Sequence, residues 1–168
     1  RKKTLYREAF DSLKTIWTDD VEESKSVSYP QINPSKEGNY INYYSPVVAG
    51  KDSIIAIRTT LSKAPVFVLL RPSEKKEETI HIPGQIYPWY ISCGNGTLVW
   101  VETRNDHRWA NRQYSIIKMM DLRSKRIRSL SRKSRYLSAA ISPDGKIIAA
   151  SENTADNKNS LVLIDTKT

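Results

Sequence analysis

From Tyr44 to the end of the chain, short apolar segments follow one another, and turn residues separate nearly all of them. Eight such segments can be marked, at residues 53–60, 65–71, 78–82, 97–103, 114–122, 126–130, 146–152 and 160–166. Segments of this length and composition are typical of strands joined by hairpins. Because no apolar pattern of helical length interrupts the series, the sequence predicts an all-β, antiparallel fold here.

Three of these segments follow similar residues. "YYSPVVAGKDSIIAI" has a Ser-Pro pair and a Gly-containing turn, "YPWYISCGNGTLVW" has a Pro and an Asn-Gly turn, and "ISPDGKIIAAS" has Ser-Pro and Asp-Gly. Aligning Ile54, Leu98 and Ile147 gives spacings of 44 and 49 residues, the differences of their numbers. Four-stranded propeller blades repeat at roughly 40 to 45 residues. We therefore expect about three blades of four antiparallel strands, an incomplete ring in which the third copy lacks its last strand.

Each copy also changes in polarity along its length. After the hairpin comes a second apolar strand ("VFVLLRP", "IIKMMDLRS", "LVLIDTKT"), and in two copies a short polar strand follows ("ETIHIP", "RIRSLS"). In a propeller the inner strands lie between neighbouring blades, whereas the outermost strand is half exposed. An ordinary β-sandwich would not explain three matching copies. The Asp144-Gly145 and Asn95-Gly96 pairs supply the positive φ of tight hairpin turns, so we expect them to shape turns.

The first 20 residues have a helical period instead. Tyr6, Phe10, Leu13 and Trp17 recur at i, i+4, i+7 and i+11, and charged residues occupy the opposite side. This pattern predicts an amphipathic helix within residues 1–20, before "TDD" ends it. The helix could dock on its own domain or form the end of an upstream domain.

Residues 21–43 are polar and contain two prolines and a "KEGN" turn signal. We interpret them as a linker with one edge strand around "KSVSYPQI". Pro30 restricts that strand to a sheet edge or a strand end, because proline cannot donate to the ladder. The predicted blades then occupy residues 44–168.

The formal net charge is +9, and much of the excess lies in "RSKRIRSLSRKSR", residues 123–135. Lys and Arg can neutralise nucleic-acid phosphates, but this run has no interleaved aromatic residues for base stacking and no recognised nucleic-acid motif. Lys and Arg also discourage pairing at sheet edges. We therefore expect a solvated edge strand with its turn, and no nucleic-acid partner. The longest apolar run, "VFVLL", is far short of the roughly 20 residues that cross a bilayer, so no integral membrane segment is expected.

Residues able to hold metals or perform catalysis are sparse. Cys93 is the single cysteine, which excludes an internal disulfide and a cysteine-rich metal site. His81 and His107 lack further ligands at helical spacing, so we place both at surface or hairpin positions. The aspartates lie in turns or at strand ends, where they accept hydrogen bonds from nearby backbone N–H groups. No catalytic, cofactor-binding or metal-binding residue is predicted, no cofactor is expected, and we expect no enzymatic activity.

The loop "TRNDHRWANRQY", residues 103–114, has the composition of an interaction surface. Arginine, tryptophan and tyrosine dominate binding hot spots. The candidate protein-binding residues are Arg104, Arg108, Trp109, Arg112 and Tyr114. In the alternative interpretation, this is a long blade loop whose Trp109 packs back on the sheet.

"ISPDGKIIAAS" with "NSLVLIDTKT" resembles the repeat of TolB-type propellers, in which a Ser-Pro-Asp-Gly-Lys turn precedes an apolar strand and a later strand ends in an acid, as at Asp165. The resemblance covers about residues 40–168 and is strongest in the third copy. It implies a non-catalytic propeller that binds a protein partner in a bacterial envelope, in the periplasm or associated with the envelope. The alternative is an accessory or gating propeller of a peptidase whose catalytic domain lies outside this chain. No His-Glu-x-x-His motif is present.

Propellers close with at least about four blades, and the sequence accounts for three. We therefore expect the chain to be a fragment, or one piece of a ring that other residues or chains complete. Exposed blade faces predict possible self-association.

Overall fold

The computed structural model describes residues 2–23, 29–33, 40–86, 90–109, 112–132, 134–154 and 156–167. The chain forms two compact units, Arg1–Gln31 and Ile32–Thr168. The described part of the first unit is mainly one helix, α1 (Lys2–Glu23), and that of the second consists of antiparallel strands. None of the described helical residues form a segment with the length and apolarity needed to cross a membrane.

The strands form three sheets, each built from strands consecutive along the chain. The first sheet contains β1 (Ile41–Gly50), β2 (Ser53–Thr60), β3 (Val66–Arg71) and β4 (Lys76–His81). The second contains β5 (Ile91–Gly94), β6 (Thr97–Asn105), β7 (Gln113–Asp121) and β8 (Ile127–Ser129). The third contains β9 (Tyr136–Ile141), β10 (Ile147–Asn153) and β11 (Asn159–Asp165), in the order β11-β10-β9. The fold is therefore mostly β and resembles an incomplete propeller, as the sequence predicts.

All eight apolar segments marked in the sequence form strands: β2, β3, β4, β6, β7, β8, β10 and β11. The first strand of each sheet is not among them, because β1 contains Pro46, β5 has only four residues and β9 is rich in small residues. β1 begins at Ile41, where the sequence places a linker, and Ile41 pairs with Thr60. The first half of the predicted edge strand, residues 25–28, lies outside the described residues, and residues 29–33 contain no strand.

Helix α1 runs through the "TDD" segment that was expected to end it. Thr15 and Thr18 lie within the helix, and each hydroxyl donates to a carbonyl one turn earlier, Asp11 at 3.0 Å and Lys14 at 2.7 Å. Threonine and aspartate cost less than about 1 kcal/mol each inside a helix. The predicted apolar stripe is present and exposed, from 46% at Leu13 to 80% at Tyr6.

The second sheet is apolar on both faces because it is packed on both sides. Leu98 and Trp100 of β6 belong to a core that includes residues of the first sheet, whereas Val99 and Val101 belong to a core shared with the third sheet. Alternate side chains of a strand point to opposite faces, so β6 reads as one apolar run. The outer strand β8 is exposed at all three residues. This gradient confirms the polarity expected from the sequence for the second sheet.

The outer face of the third sheet carries large exposed apolar side chains. Leu161 is 78% exposed and Leu163 is 73% exposed, both on β11. The prediction of self-association through blade faces stays a prediction.

The second and third copies of the repeat align as the sequence predicts, except that the third is shifted by one residue. Leu122 N–H donates to the Gly96 carbonyl in the second sheet, and Thr166 N–H donates to the Lys146 carbonyl in the third, both at 2.9 Å. Because the two bonds occupy equivalent positions, Gly96 corresponds to Lys146. Leu98 therefore corresponds to Ile148, and not to Ile147. Ile148 is fully buried, whereas Ile147 is 45% exposed. The third hairpin has a longer connection, which shifts its second strand by one residue.

The Asp-Gly and Asn-Gly pairs form turns, as predicted. Asn95 and Gly96 both have positive φ, 46° and 71°, as a two-residue hairpin turn requires. In the third hairpin, Asp144 accepts from the Ser142 hydroxyl at 2.6 Å and from Lys146 N–H at 3.1 Å. Those donors lower the pKa of Asp144. Gly145 supplies the left-handed residue, φ 76°.

The basic run forms the edge strand β8 with its turns, as expected. Arg128 reaches beyond the edge: its Nε lies 3.0 Å from the Met119 sulfur, and its guanidinium donates to the Thr166 carbonyl. The second and third sheets are therefore joined by a side chain as well as by their apolar core.

A buried ion pair lies beside the core between the first and second sheets. Glu102, 3% exposed, accepts from Lys118 Nζ at 2.6 Å and from Trp100 Nε1 at 2.9 Å. Burial by itself would raise the pKa of Glu102, but Lys118, Trp100 and the Gly84 N–H donate to the carboxylate and hold its pKa below the usual value. The carboxylate therefore stays charged and ties the segment after β4 to the second sheet.

His81 lies in the β3–β4 hairpin, one of the two kinds of position that the sequence suggested, and it is not fully at the surface. It is the last residue of β4, half-buried, with its ring centroid 5.9 Å from Phe67 and 5.4 Å from Trp100. Phe67 and Trp100 themselves meet edge-to-face at 5.2 Å and 81°. The alternation of "ETIHI" correctly placed the strand, but only the stacking of the two sheets brings the imidazole against these rings.

We expect the stability of the protein to fall as the pH drops below about 6.5, the ordinary pKa of histidine. Burial lowers the pKa of His81, so the unfolded chain takes up a proton at a higher pH than the folded chain. Below that value, the proton favours unfolding. Urea unfolding at pH 7.5 and 5.5 measures this loss, and His81→Phe, which keeps a ring on Phe67 and Trp100, should reduce it. An unchanged loss in His81→Phe would contradict the assignment.

Candidate protein-binding pocket

The loop between β6 and β7 forms a concavity of about 580 Å³. All five candidate residues line it, and four neighbours that the sequence did not single out for binding complete the lining; we call this site the arginine pocket. Its full lining is Arg104, Asn105, Asp106, His107, Arg108, Trp109, Arg112, Tyr114 and Arg132. His107 therefore lies in the loop, at an exposed position, as the sequence indicated.

Two paired strands hold the rim of the arginine pocket. β6 and β7 extend as a hairpin, and Arg104 pairs with Tyr114 near its end. Beyond the ladder, Asp106 N–H donates to the Arg112 carbonyl at 2.8 Å, and Arg112 N–H donates to the Trp109 carbonyl at 2.9 Å. Because the loop closes on itself, its described backbone is braced before any ligand binds.

Asp106 holds the loop together through hydrogen bonds, so its carboxylate is not free to neutralise the positive charge of the pocket arginines. Its carboxylate accepts from Arg108 N–H at 2.9 Å and from the Tyr114 hydroxyl at 3.3 Å. The Arg108 N–H, followed by the Tyr114 hydroxyl and the Trp109 N–H, lowers the pKa of Asp106. The expectation that aspartates serve as local acceptors in turns is confirmed here.

The arginines of the pocket are available to an external anion. Arg104, Arg108, Arg112 and Arg132 are exposed, and none has an ion-pair partner within 4.0 Å among the residues that the structure describes. The Arg112 guanidinium lies 5.3 Å from the Tyr114 ring centroid, an arrangement that orients a cation over an aromatic face. Guanidinium groups bind carboxylates with two parallel hydrogen bonds.

Trp109 is 67% exposed. The alternative in which this side chain packs back on the sheet is therefore not what the structure contains. An exposed indole beside unpaired guanidinium groups combines apolar area with charge, which is the composition of binding hot spots.

Arg132 lines the pocket with the three arginines of the loop, and only the tertiary fold brings it there. It belongs to the segment after β8, and the sequence placed it in the solvated basic run.

Among the described side chains, no group of three or more His, Cys, Asp or Glu is placed to hold a metal ion. The chemistry that the pocket offers is therefore anion and aromatic recognition.

Cys93 lies in β5, opposite Leu98, and is partly buried. Burial raises the pKa of its thiol, which disfavours the reactive thiolate.

Comparison with known proteins gives a fold and no family. No family model matches the chain. No curated protein matches it either. Among solved structures it is similar to a puromycin-hydrolyzing peptidase from Mycobacterium tuberculosis, with a TM-score of 0.56 and 11% sequence identity, over 76% of this chain and 20% of that one. The chain thus spans about a fifth of that protein, and at this identity the two share a fold over the matched region.

Proposed function

We propose that this chain is a non-catalytic segment of a propeller that binds a protein partner through the arginine pocket. The observation that carries the proposal is the convergence of Arg104, Arg108, Trp109, Arg112 and Tyr114 on one concavity whose arginines have no ion-pair partner among the described residues. A braced loop loses little entropy on binding, which favours recognition.

The TolB-type identity and the envelope location belong to the same proposal. The Ser142-Pro143-Asp144-Gly145 turn and the acid that ends β11, Asp165, support them, because the structure gives each the hydrogen bonds of a turn. On this proposal, the protein is periplasmic or associated with the cell envelope. Fusion of a reporter enzyme to the natural gene product would place it, and a cytosolic reporter signal would contradict the location.

A second candidate function is that of an accessory or gating propeller in a peptidase whose catalytic domain lies outside this chain. The similarity in fold to part of a peptidase supports it. The two candidates share the pocket and differ in what the pocket receives: a partner protein in the first, and an incoming peptide substrate in the second.

Binding of charged peptides tests the proposal. We expect acidic peptides to bind more tightly than neutral or basic peptides of equal length. Replacing Arg104, Arg108 and Arg112 together by alanine should weaken acidic-peptide binding by about tenfold or more, because hot-spot arginines supply a large share of binding energy. Fluorescence anisotropy of labelled peptides measures the Kd.

A variant with the same loss of charge serves as the control. Lys76, Arg123 and Arg126 are exposed and lie outside the arginine pocket. Replacing these three by alanine should leave the Kd within about twofold, since screened distant charges contribute little. Equal weakening in both triple variants would show that net charge alone attracts the peptides, and the proposal would fail. Peptide cleavage by the protein would contradict the non-catalytic assignment.

A further inference from the structure

A second concavity, of about 270 Å³, adjoins the arginine pocket. The two share the lining residues Arg112 and Tyr114, so they lie side by side. We call the second concavity the adjoining cleft; it is lined by Arg112, Tyr114, Ser134, Arg135, Glu152, Asn153 and Thr154. Because its lining comes from β7, from β10 and from the segment that precedes β9, the cleft crosses from the second sheet to the third.

The backbone between the two sheets is fixed on both sides. Ser115 N–H of β7 donates to the Ser134 carbonyl at 2.9 Å, and Asn153 N–H of β10 donates to the Arg135 carbonyl at 2.8 Å. The segment at Ser134 and Arg135 is therefore held by a hydrogen bond to each sheet. A ligand that occupies both concavities would meet a surface that is already formed.

The adjoining cleft offers acceptors that the protein leaves unused. Asn153 Oδ1 is buried and accepts no hydrogen bond from the residues that the structure describes. Glu152, beside it, has no ion-pair partner within 4.0 Å in the same residues. A buried acceptor without a donor is costly, and the terminal torsion of asparagine is broad enough for Oδ1 to rotate when a donor binds.

The two concavities differ in what they offer a ligand. The arginine pocket has guanidinium groups for an anion, whereas the adjoining cleft has, beside Arg112 and Arg135, the acceptors Asn153 Oδ1 and Glu152 for hydrogen-bond donors. An extended peptide with one acidic side chain supplies both, because each residue other than proline has a backbone N–H.

We propose that the arginine pocket and the adjoining cleft form one groove that binds an extended acidic peptide segment. The peptide carboxylate lies among Arg104, Arg108 and Arg112, and backbone N–H groups of neighbouring residues donate to Asn153 and Glu152. This assignment rests on the proposed function and names its ligand class. A peptide fits better than a nucleic-acid backbone, because a phosphodiester carries no N–H donor for Asn153 Oδ1 and Glu152.

The test uses a short acetylated peptide with one glutamate among alanine, serine and threonine residues, and a second version whose backbone is N-methylated on both sides of the glutamate. We expect N-methylation to weaken binding to the unaltered protein by about tenfold, since it removes the donors. Asn153→Leu should weaken binding of the unmethylated peptide by a similar factor and leave binding of the methylated peptide almost unchanged. Such coupling identifies a direct interaction.

The matched control is Asn159→Leu, an exposed asparagine on β11 outside the cleft. It should leave both Kd values unchanged. If the triple replacement of Arg104, Arg108 and Arg112 weakens binding but N-methylation and Asn153→Leu do not, the proposed function stands and the proposal of a single groove is wrong. If the arginine variant also binds normally, the proposed function fails as well. Tighter, arginine-dependent binding of a single-stranded oligonucleotide than of the peptide would overturn the ligand class.

Discussion

Replacing Gly94 by alanine is expected to destabilise the protein by about 3 kcal/mol, the upper part of the range for overpacked sites. Gly94 is buried at the end of β5, where the hairpins of the second and third sheets meet. A Cβ at this position would overlap the Ser142 carbonyl oxygen, and it would lie 3.2 Å from the Ile141 side chain. A backbone oxygen cannot move without shifting its strand. Urea unfolding followed by tryptophan fluorescence measures the loss.

Gly50 is the matched control, because it occupies the corresponding position in the first hairpin. Gly50 pairs with Ser53 as Gly94 pairs with Thr97. A Cβ at Gly50 would meet only the Ser53 side chain, at 3.7 Å, an ordinary van der Waals contact. Gly50→Ala should therefore change the free energy of unfolding by less than about 1 kcal/mol. Equal losses in the two variants would show that the close approach at Ser142 is not what requires glycine.

Replacing Glu102 by alanine is expected to cost about 3 to 5 kcal/mol, because it leaves one partner of a buried ion pair without compensation. Lys118, whose side chain is only 16% exposed, would lose its ion-pair partner, and Trp100 Nε1 would lose its acceptor. The backbone N–H of Gly84 would lose its acceptor too. The free energy of unfolding in urea at pH 7 is the measurement.

A double replacement separates the charge from the packing. Changing Glu102 to leucine and Lys118 to methionine together removes both charges and retains most of the volume. Apolar pairs often replace buried ion pairs with little loss, so the double variant should be more stable than Glu102→Ala. Because Trp100 still loses its acceptor, recovery to the level of the unaltered protein is not expected. A double variant as unstable as Glu102→Ala would show that the cost comes from the space that the glutamate side chain fills.

The pocket and these structural sites occupy different parts of the second sheet. Glu102 and Trp100 lie toward the core with the first sheet, whereas the arginine pocket lies at the far end of the β6–β7 hairpin. The residues that line the pocket are therefore separate from the residues that form the core. Such a division is typical of binding loops on stable scaffolds.

The strands were predictable wherever apolar residues formed a run. β2, for example, has the bounds that its sequence pattern gives, because the "SIIAIRTT" segment is bounded by turn residues and lies in the core. β1 was less accessible to prediction, because Pro46 and the positive φ of Ser45 interrupt its ladder with a bulge. A bulge removes the simple alternation on which sequence patterns depend.

The candidate site also has one part that the sequence could identify and one part that it could not. Arg104 through Tyr114 are close in sequence, so composition alone could identify them as a loop of interaction type. Arg132 and Asn153 come from other strands or connections, and no local pattern connects them with Trp109. The segment that contains Arg132 runs beside β7, and Asn153 is brought near by the stacking of the second and third sheets. Sequence spacing specifies neither arrangement.

By itself the sequence determined the all-β class, the repeat of three units, the turn residues and the loop that carries the arginines, because these depend on local periodicity and on the backbone freedom of glycine and asparagine. Only the tertiary structure decided the one-residue shift of the third copy, the position of His81 against Phe67 and Trp100, and the proximity of the arginine pocket to the adjoining cleft. Those features depend on which face of each sheet is covered, and packing between distant segments sets that.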